Sequence, residues 1–262
     1  MKNILFALLL LTGTAALAQP TSYTTSNAHS HNDYEQPVPL TTAYNEKFGS
    51  IEADIFWRNG ELLVAHSEKE LAAKHRTLED LYLKPLQAYI EKNKGYIYAD
   101  TARQLQFMID LKTNGDTTLG TLVELLKKYP ALTNCTKLKI AISGNRPDVS
   151  TWASYPSFIW FDGELQKEYP AEALVRIVML SCDFKNYTKW NGKDPLPAAQ
   201  IDTLKQVVQR AHALRKPVRF WGAPDTKFAW RVMTMVRVDY INTDKIKALA
   251  EYIKNMHKMF GV

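Results

Sequence analysis

The sequence is poor in cysteine: its 262 residues include two, Cys135 and Cys182, which lie far apart. Two cysteines do not make a disulfide framework, and their spacing matches no zinc-binding motif. Both lie beside apolar runs, so the sequence leaves open whether they pair in an oxidising compartment or stay buried as free thiols. A small disulfide-stabilised scaffold is excluded.

Three functional signatures are also missing. No glycine-rich turn follows the first predicted strand, where a dinucleotide-binding sheet usually carries one. No G-x-S-x-G elbow is present, which argues against a serine hydrolase of that type. The net charge of +6 is spread along the chain and forms no basic block. We therefore expect no nucleic-acid partner, although this charge suits an anionic ligand or a membrane surface.

Long apolar runs are scarce, and the one at Ile4–Leu11 is near the start of the chain. It follows Lys2 and precedes Ala16–Ala18, which is the order of segments in a secretory signal peptide. The run is shorter than the roughly 20 residues that a membrane-spanning helix needs. We expect residues 1–18 to be a signal peptide and residues 19–262 to form an exported, periplasmic or secreted domain without a transmembrane segment. The oligomeric state is not indicated.

The rest of the chain alternates short strand-like runs with longer amphipathic segments. This pattern implies a parallel sheet, and eight strands in roughly 240 residues favour an α/β fold with one (β/α)8 TIM barrel over a doubly wound sheet. The predicted strands are Thr25–His29, Ser50–Ile55, Gln106–Leu111, Leu138–Ile142, Phe158–Phe161, Ile177–Leu180, Val218–Trp221 and Tyr240–Ile241, with Leu62–Ala65 as a further short one. The predicted helices are Leu40–Phe48, Leu78–Lys92 (with a kink or break at Pro85), Leu119–Lys128, Ile201–Leu214, Thr226–Val236 and Lys245–His257.

Unusual polar residues follow the predicted strands, at the barrel end where active sites lie. His29, His31 and Asn32 follow the first strand, and Glu52 and Asp54 lie two residues apart on the second. Residues two apart on a strand share a face. Two carboxylates on one face repel each other unless a cation joins them, and oxygen ligands suit Mg²⁺ or Ca²⁺. The pair therefore predicts a site for a divalent cation.

Further candidates follow later strands. Asp110 and Lys112 share a face at the end of the third strand, where Asp110 is a candidate third metal ligand and Lys112 would face an anion. His66 lies twelve residues after Asp54, a spacing that permits a small hairpin folding back over the second strand. Trp221 ends a strand near the C-terminus and is a candidate wall for a headgroup, with core packing as the alternative.

The order of these motifs resembles the superfamily of phosphatidylinositol phospholipase C-like phosphodiesterases, which includes glycerophosphodiester phosphodiesterases and spider-venom sphingomyelinase D enzymes. The nearest branch is the altered-inheritance-of-mitochondria type. The resemblance is carried by Ser30–Tyr34, Glu52–Asp54, the Leu-Leu-Val-x-His run ending at His66, Asp110–Lys112, Trp221 and Val238–Asp244. Glycerophosphodiesterases carry Arg-Gly directly after their first histidine, which this chain lacks, and typically glutamate where this chain has Asp110.

The resemblance implies a metal-dependent phosphodiesterase that cleaves a phosphodiester small molecule or a lipid headgroup. His31 and His66 would be the acid–base pair. One divalent cation, Mg²⁺ or Ca²⁺, would be held by Glu52, Asp54 and Asp110. Substrate contacts would come from Asn32, Lys112 and Trp221.

Three alternatives stay open at this point. His29 is a candidate for the first catalytic histidine, although the spacing to Glu52 and the following Asn-Asp favour His31. His29 and His31 also form the H-x-H pair that zinc amidohydrolase barrels carry after their first strand. Finally, the barrel could bind a phosphorylated ligand without catalysis.

Overall fold

The computed structural model of the protein describes residues 20–73 and 75–260. The predicted signal peptide, residues 1–18, lies outside the described residues. Within them, no helix is long and apolar enough to cross a membrane.

The described residues contain nine strands, eight of which form one parallel barrel wall. Their order around the wall is β8-β7-β6-β5-β4-β2-β1-β9. The strand bounds are β1 Ala28–Ser30, β2 Ser50–Arg58, β3 Glu61–Val64, β4 Leu105–Leu111, β5 Leu138–Gly144, β6 Ile159–Glu164, β7 Ile177–Asp183, β8 Val218–Trp221 and β9 Ile241–Thr243. The prediction of a (β/α)8 barrel is confirmed.

The barrel closes between β8 and β9 through a short contact. Arg219 and Tyr240 form a single parallel bridge, and the backbone N–H groups of Asp239 and Tyr240 both lie within 3.2 Å of the Val218 carbonyl oxygen. Since closure removes the unpaired sheet edges, these few bonds complete the wall.

The β2–β3 hairpin is the one antiparallel addition among the described strands. β2 extends past the barrel rim, and its residues 55–58 pair with β3. The chain therefore folds back over the end of β2 and brings His66 next to Asp54, as the sequence spacing indicated. Within the barrel, Asp54 is in register with Asp110 of β4.

Helices of unequal length connect the strands. Their bounds are α1 Thr41–Asn45, α2 Glu68–Leu71, α3 Lys84–Lys92, α4 Gly115–Leu126, α5 Pro130–Thr133, α6 Ala171–Leu174, α7 Ala198–Ala213, α8 Lys227–Met235 and α9 Ile246–Phe260. The predicted helix Leu78–Lys92 is interrupted, because Glu79–Leu83 adopts a π-helical turn immediately before Pro85. Proline lacks an N–H group and clashes with the preceding turn, which gives the physical reason for the break.

Apolar side chains fill both faces of the barrel wall. Every residue of β4 except Asp110 is buried, which is expected when helices cover the outside of a parallel sheet. Stacked aromatic pairs contribute to this packing, with the rings of Trp152 and Phe161 4.2 Å apart. Cys135 and Cys182 are both buried and free, so they do not pair.

The loop after β1 is tied down by one buried carboxylate. Asp33 accepts hydrogen bonds from the Ser30 hydroxyl at 2.8 Å, the Tyr82 hydroxyl at 3.0 Å and the Leu40 backbone N–H. Three hydrogen bonds compensate the desolvation cost of burying this carboxylate. These bonds hold the segment that carries His31 and Asn32.

Gly144, at the end of β5, is required by backbone geometry next to Asp110. Its φ is +70°, and an added Cβ would lie 2.5 Å from the Leu111 carbonyl oxygen and 2.7 Å from Asp110 Oδ2.

We expect Gly144→Ala to lower the free energy of unfolding by about 1–3 kcal/mol, measured by urea denaturation. The matched control is Gly120→Ala in α4, where a Cβ meets open space. Alanine there should stabilise the helix by about 0.5–1 kcal/mol. Equal stability of the two variants would contradict this role for Gly144.

Candidate active site

A polar cavity of about 460 Å³ opens at the carboxyl ends of the barrel strands. One side is lined by His31, Glu52, Asp110 and Lys112, which come from β1, β2 and β4 or the residues that follow them. The opposite side is formed by β6, β7 and β8. Active sites of this fold lie at the same end of the barrel, so the cavity is the candidate active site.

His31 is oriented by an acidic partner from the far end of the chain. Its Nδ1 lies 2.8 Å from Asp244 Oδ1, and Asp244 directly follows β9. Burial lowers the pKa of His31, but the hydrogen bond to Asp244 and the charges of Glu52 and Asp244 outweigh it, so the pKa is raised. The pairing engages Nδ1, which leaves Nε2 as the ring nitrogen available to a reactant.

The loop that supplies Asp244 is itself fixed by Asp225. Asp225 Oδ2 accepts a hydrogen bond from the Asp244 backbone N–H at 3.0 Å, while its Oδ1 accepts from the Thr243 hydroxyl and the Trp230 indole N–H, both at 2.8 Å. The loops after β8 and β9 are therefore joined, and this junction sets the position of the carboxylate that holds His31.

His29 lies below the cavity floor and is completely buried. Its Nδ1 is 2.8 Å from the Ser50 hydroxyl, and its Nε2 is 2.6 Å from Glu52 Oε2 and 2.7 Å from Arg219 Nη1. One nitrogen cannot donate to a carboxylate and accept from a guanidinium at once. Since Glu52 is the closer partner, we take Nε2–H to donate to Glu52 and the Ser50 hydroxyl to donate to Nδ1. Burial, followed by the charge of Arg219, lowers the pKa of His29 to about 4.

Glu52 is held as a carboxylate by two neighbours. Arg219 Nη1 donates to Glu52 Oε2 at 2.9 Å, next to the bond from His29. Burial by itself raises the pKa of Glu52, but the Arg219 charge and the His29 hydrogen bond keep it below its usual range. Glu52 therefore stays ionised inside the barrel.

Lys112 bridges the other two carboxylates. Its Nζ lies 2.9 Å from Asp54 Oδ2 and 2.7 Å from Asp110 Oδ2, and the Ser143 hydroxyl donates to Asp110 Oδ1 at 2.7 Å. Burial and the charge of Glu52 raise the pKa of Asp54 to about 6 despite Lys112. Asp54 Oδ1 is buried and has no hydrogen-bond partner.

His66 lies on the outer side of the cluster formed by Asp54, Asp110 and Lys112, and it does not line the cavity. Its side chain is 59% exposed; Nδ1 is 3.9 Å from Asp54 Oδ2 and 3.2 Å from the Tyr34 hydroxyl. Tyr34 donates to Asp54 at 2.8 Å and also lies 3.1 Å from Asn32 Oδ1. Tyr34 thus connects the β1 loop, the acidic pair and the second histidine.

The structure brings most of the predicted site residues to one place. His31, Glu52, Asp110, Lys112 and Trp221 line the cavity. Asp54, His66 and Asn32 stand behind them, where Asn32 contacts Tyr34 instead of the cavity. His29 and His31 face different partners, so they do not converge as the H-x-H pair of a zinc site would.

Sequence reasoning missed Arg219, Asp244 and Asp162 as site residues. Arg219 lies two residues before Trp221 on β8, with Phe220 between them. Residues two apart on a strand share a face, so the candidate position of Trp221 at the cavity was also a signal for Arg219. Asp244 follows the last strand, as the barrel rule requires of functional residues. Asp162 directly follows the predicted strand Phe158–Phe161, so the same strand-end position was the available signal.

The donor set for a divalent cation is present, although it is not assembled as a finished site. Within residues 20–73 and 75–260, no group of three acidic, histidine or cysteine side chains is arranged to hold a metal ion. The unpartnered, buried Asp54 Oδ1 and the neighbouring Asp110 are all-oxygen donors of the type that Mg²⁺ and Ca²⁺ prefer. Lys112 Nζ contacts both carboxylates, so a cation would compete with its ammonium group. Asp54 and Asp110 therefore have the ligand chemistry that Mg²⁺ or Ca²⁺ requires.

The described residues form a (β/α)8 barrel with a cavity at the carboxyl ends of its strands, and a solved structure shares this fold. A glycerophosphodiester phosphodiesterase from Parabacteroides distasonis superposes with a TM-score of 0.56, covering 87% of this chain and 96% of that one. Its sequence is 14% identical, so this likeness concerns the fold alone.

Residues 21–137 match the family model of the AIM6-like phosphodiesterase domain. This segment includes His31, Glu52, Asp54, His66 and Asp110. The chain is 24% identical over 260 residues to the "Altered inheritance of mitochondria protein 6 homolog" of Arthroderma benhamiae, covering 86% of this chain and 82% of that protein. It is 25% identical over 304 residues to the Kluyveromyces lactis "Altered inheritance of mitochondria protein 6", covering 86% and 72%. The resemblance to the altered-inheritance-of-mitochondria type is confirmed, and residues 21–137 are similar to a phosphodiesterase domain.

Asp244 should control the protonation of His31. In Asp244→Asn the charge that favours the imidazolium is lost while burial still opposes it, so the pKa of His31 should fall. NMR titration of the histidine ring signals measures this directly. Glu61→Gln, which removes the partner of exposed His75, is the matched control and should leave the pKa of His31 in place. An unchanged His31 titration in Asp244→Asn would rule out Asp244 as its partner.

Proposed function

We propose that the protein is an exported, metal-dependent phosphodiesterase in which His31 and His66 exchange protons with the reacting oxygens. The observation that carries this proposal is the wall of the cavity where His31, with its raised pKa, lies beside Lys112 and the carboxylates of Glu52 and Asp110. Such a wall offers a proton donor and positive charge to a phosphate group. The AIM6-like match supports the same reaction class.

His31 suits the role of general acid. The Asp244 carboxylate favours its protonated form and raises its pKa, so His31 would give a proton from Nε2 to the leaving alcohol oxygen. His66, exposed and with Nδ1 directed towards Tyr34 and Asp54, suits the complementary role. It would accept a proton from the attacking water or hydroxyl group. If the attacking hydroxyl belongs to the substrate, the first product is a cyclic phosphate.

Glu52, Asp54 and Asp110 would hold one divalent cation, Mg²⁺ or Ca²⁺. When bound, the cation would neutralise negative charge on the phosphate oxygens. The unpartnered Asp54 Oδ1 supports this assignment, because a buried carboxylate oxygen without a partner is costly. Lys112, freed from Asp54 and Asp110, would contact a phosphate oxygen, and Trp221 would stand at the mouth of the cavity. Asn32 would act through Tyr34.

The substrate class follows from the cavity. A cavity of about 460 Å³, lined largely by polar and charged residues, is enough for a phosphodiester with a small headgroup. We propose a phosphodiester small molecule or a lipid headgroup as substrate. Export rests on the sequence of residues 1–18 alone.

The acid–base assignment is tested with the purified protein and bis(p-nitrophenyl) phosphate, in EDTA, Mg²⁺, Ca²⁺ or Zn²⁺. We expect turnover with Mg²⁺ or Ca²⁺ and a loss of about a hundredfold or more in kcat for His31→Ala and for His66→Ala. His75→Ala is the matched control, because His75 is exposed and pairs with Glu61.

Other results would replace the proposal. Amide or ester hydrolysis restored only by Zn²⁺ would favour an amidohydrolase. Phosphate binding without turnover under any condition would favour a non-catalytic barrel.

Lys112→Met separates the metal site from the phosphate contact. Removing the competing ammonium should tighten Mg²⁺ or Ca²⁺ binding by about tenfold in calorimetry, while kcat falls because the phosphate loses a cation. Lys127→Met, at the exposed residue that follows α4, removes an equal charge away from the cavity and should change neither quantity. Weaker cation binding in Lys112→Met would refute Asp54 and Asp110 as ligands.

A further inference from the structure

The fold gathers basic residues at the end of the barrel opposite the cavity. In a parallel barrel, every segment that leads into a strand lies at the amino end of the strands. We call the surface formed by these segments the amino-end face; it consists of residues 20–27, 46–49, 93–104, 127–137, 155–158, 175–176, 214–217 and 236–240. These segments contain ten lysine and arginine residues but three acidic ones. In the segments that follow the strands at the cavity end, basic and acidic residues are nearly balanced.

Four basic residues of the amino-end face occupy a backbone position that usually holds glycine. Lys47, Lys94, Arg215 and Arg237 follow α1, α3, α7 and α8, and their φ angles lie between 56° and 64°. In all four cases the backbone N–H of the next residue donates to the carbonyl oxygen five residues earlier, at 2.8–3.1 Å. This is the Schellman ending, in which a residue in the left-handed region, most often glycine, terminates the helix.

Helix termination by itself does not explain lysine or arginine at these positions. A cation near a helix C-terminus is favoured by the helix dipole, but this gain is usually smaller than the cost of a Cβ in the left-handed region. All four side chains are exposed. Within the described part of the chain, Lys47, Lys94 and Arg215 form no ion pair with an acidic side chain. Their charges are therefore available to an anionic partner outside the protein.

The four basic helix ends lie along one arc of the barrel. The strands that follow them are β2, β4, β8 and β9, and around the wall the order is β4, β2, β1, β9 and, across the closing bridge, β8. The loops of this arc are joined by Arg103, whose Nη1 donates to the Ser26 hydroxyl at 2.8 Å and to the Lys47 carbonyl oxygen at 3.3 Å. The basic residues therefore form one continuous surface.

Exposed apolar side chains accompany this charge. Tyr96, Val175 and Leu214 lie in the amino-end face, and Met235 is the last residue of α8, directly before it; their exposed fractions are 39–67%. Basic residues interspersed with exposed apolar ones suit a membrane surface, where lysine and arginine contact anionic headgroups and apolar side chains enter the interface. A nucleic acid would match the charge but would leave the apolar side chains without a partner.

The chain also enters the barrel at this end. The Tyr23 hydroxyl donates to the Val238 carbonyl oxygen at 2.8 Å, and the Asn27 side chain donates to the Asp239 carbonyl oxygen at 3.1 Å. The apolar run Ile4–Leu11 precedes this segment and is joined to the barrel at the amino-end face as long as the chain is uncut. A signal peptide held in a membrane would turn the same end of the barrel towards the bilayer.

We propose that the amino-end face docks the protein on an anionic membrane surface. The basic residues that end α1, α3, α7 and α8 contact lipid phosphates, and Leu214 and Met235 enter the interface between headgroups and acyl chains. The cavity, at the other end of the barrel, then faces away from the bilayer towards water. This docking does not depend on the proposed phosphodiesterase activity.

Sedimentation with extruded vesicles tests the docking, with the chain that remains after removal of the predicted signal peptide. One set of vesicles is phosphatidylcholine alone, and the other contains about 30% phosphatidylglycerol. We expect the affinity for the mixed vesicles to exceed that for phosphatidylcholine by about tenfold or more, since each basic residue near an anionic surface contributes to binding. Raising NaCl from about 0.1 M to about 0.5 M should weaken binding to the mixed vesicles by about tenfold, because salt screens exposed charges.

A triple glycine variant separates docking from stability. Lys47→Gly, Lys94→Gly and Arg215→Gly together remove three charges and place the favoured residue at three helix ends, so Tm should stay the same or rise. The affinity for the mixed vesicles should fall by about tenfold or more. The matched control combines Lys185→Gly, Lys189→Gly and Lys193→Gly, which are exposed in the segment after β7 at the cavity end. It removes the same charge and should keep the affinity within about threefold.

Every other outcome overturns the docking surface. No preference for anionic vesicles, or an equal loss of affinity in the two triple variants, would leave only unspecific attraction. A larger loss in the control would place the membrane contact at the cavity end. Tighter binding to a DNA duplex than to the mixed vesicles would assign the face to nucleic acid. If the first triple variant does not fold, Arg215→Gly is compared with Lys189→Gly: a loss of about threefold in Arg215→Gly alone supports the proposal, and equal affinities refute it.

Discussion

The buried ion pair between Arg219 and Glu52 is the interaction on which the candidate site depends. It joins β8 to β2 across the barrel mouth at 2.9 Å, with both side chains almost fully buried. Breaking such a pair by removing one partner typically costs about 3–5 kcal/mol, because an uncompensated charge stays behind. Arg219 also donates to Ser181 and Asn242, so one guanidinium fixes side chains from several strands.

Two cationic side chains offset part of the negative charge of the three carboxylates at the narrow barrel mouth. Arg219 pairs with Glu52, and Lys112 is shared between Asp54 and Asp110. The two cations differ in freedom: the Arg219 side chain is 5% exposed, whereas that of Lys112 is 31% exposed. Arginine has a rigid fork of donors and lysine a flexible stem. A ligand or metal ion that enters the cavity can therefore displace Lys112 more readily than Arg219.

Residues that follow the first and the last strand both contribute to this site. His31 follows the first strand and Asp244 follows the last, and the parallel pairing of β1 with β9 brings them together. The bridge between Arg219 and Tyr240 closes the barrel on the other side of β9. Barrel closure and the orientation of His31 thus have the same structural origin.

The sequence by itself determined the barrel, the strand-end position of the chemistry and the side of the cavity wall that carries His31, Glu52, Asp110 and Lys112. Alternating strand and helix patterns identify a parallel barrel, and residues two apart on a strand must share a face, which made Glu52 with Asp54 and Asp110 with Lys112 predictable. The free state of the two cysteines and the separate orientations of His29 and His31 were decided by tertiary structure. So were the partners Arg219, Asp244 and Asp162, because their contacts join strands that are far apart in the chain. Local periodicity predicts the face of its strand on which a side chain lies. Which other side chain it contacts depends on how the strands are arranged in the closed barrel.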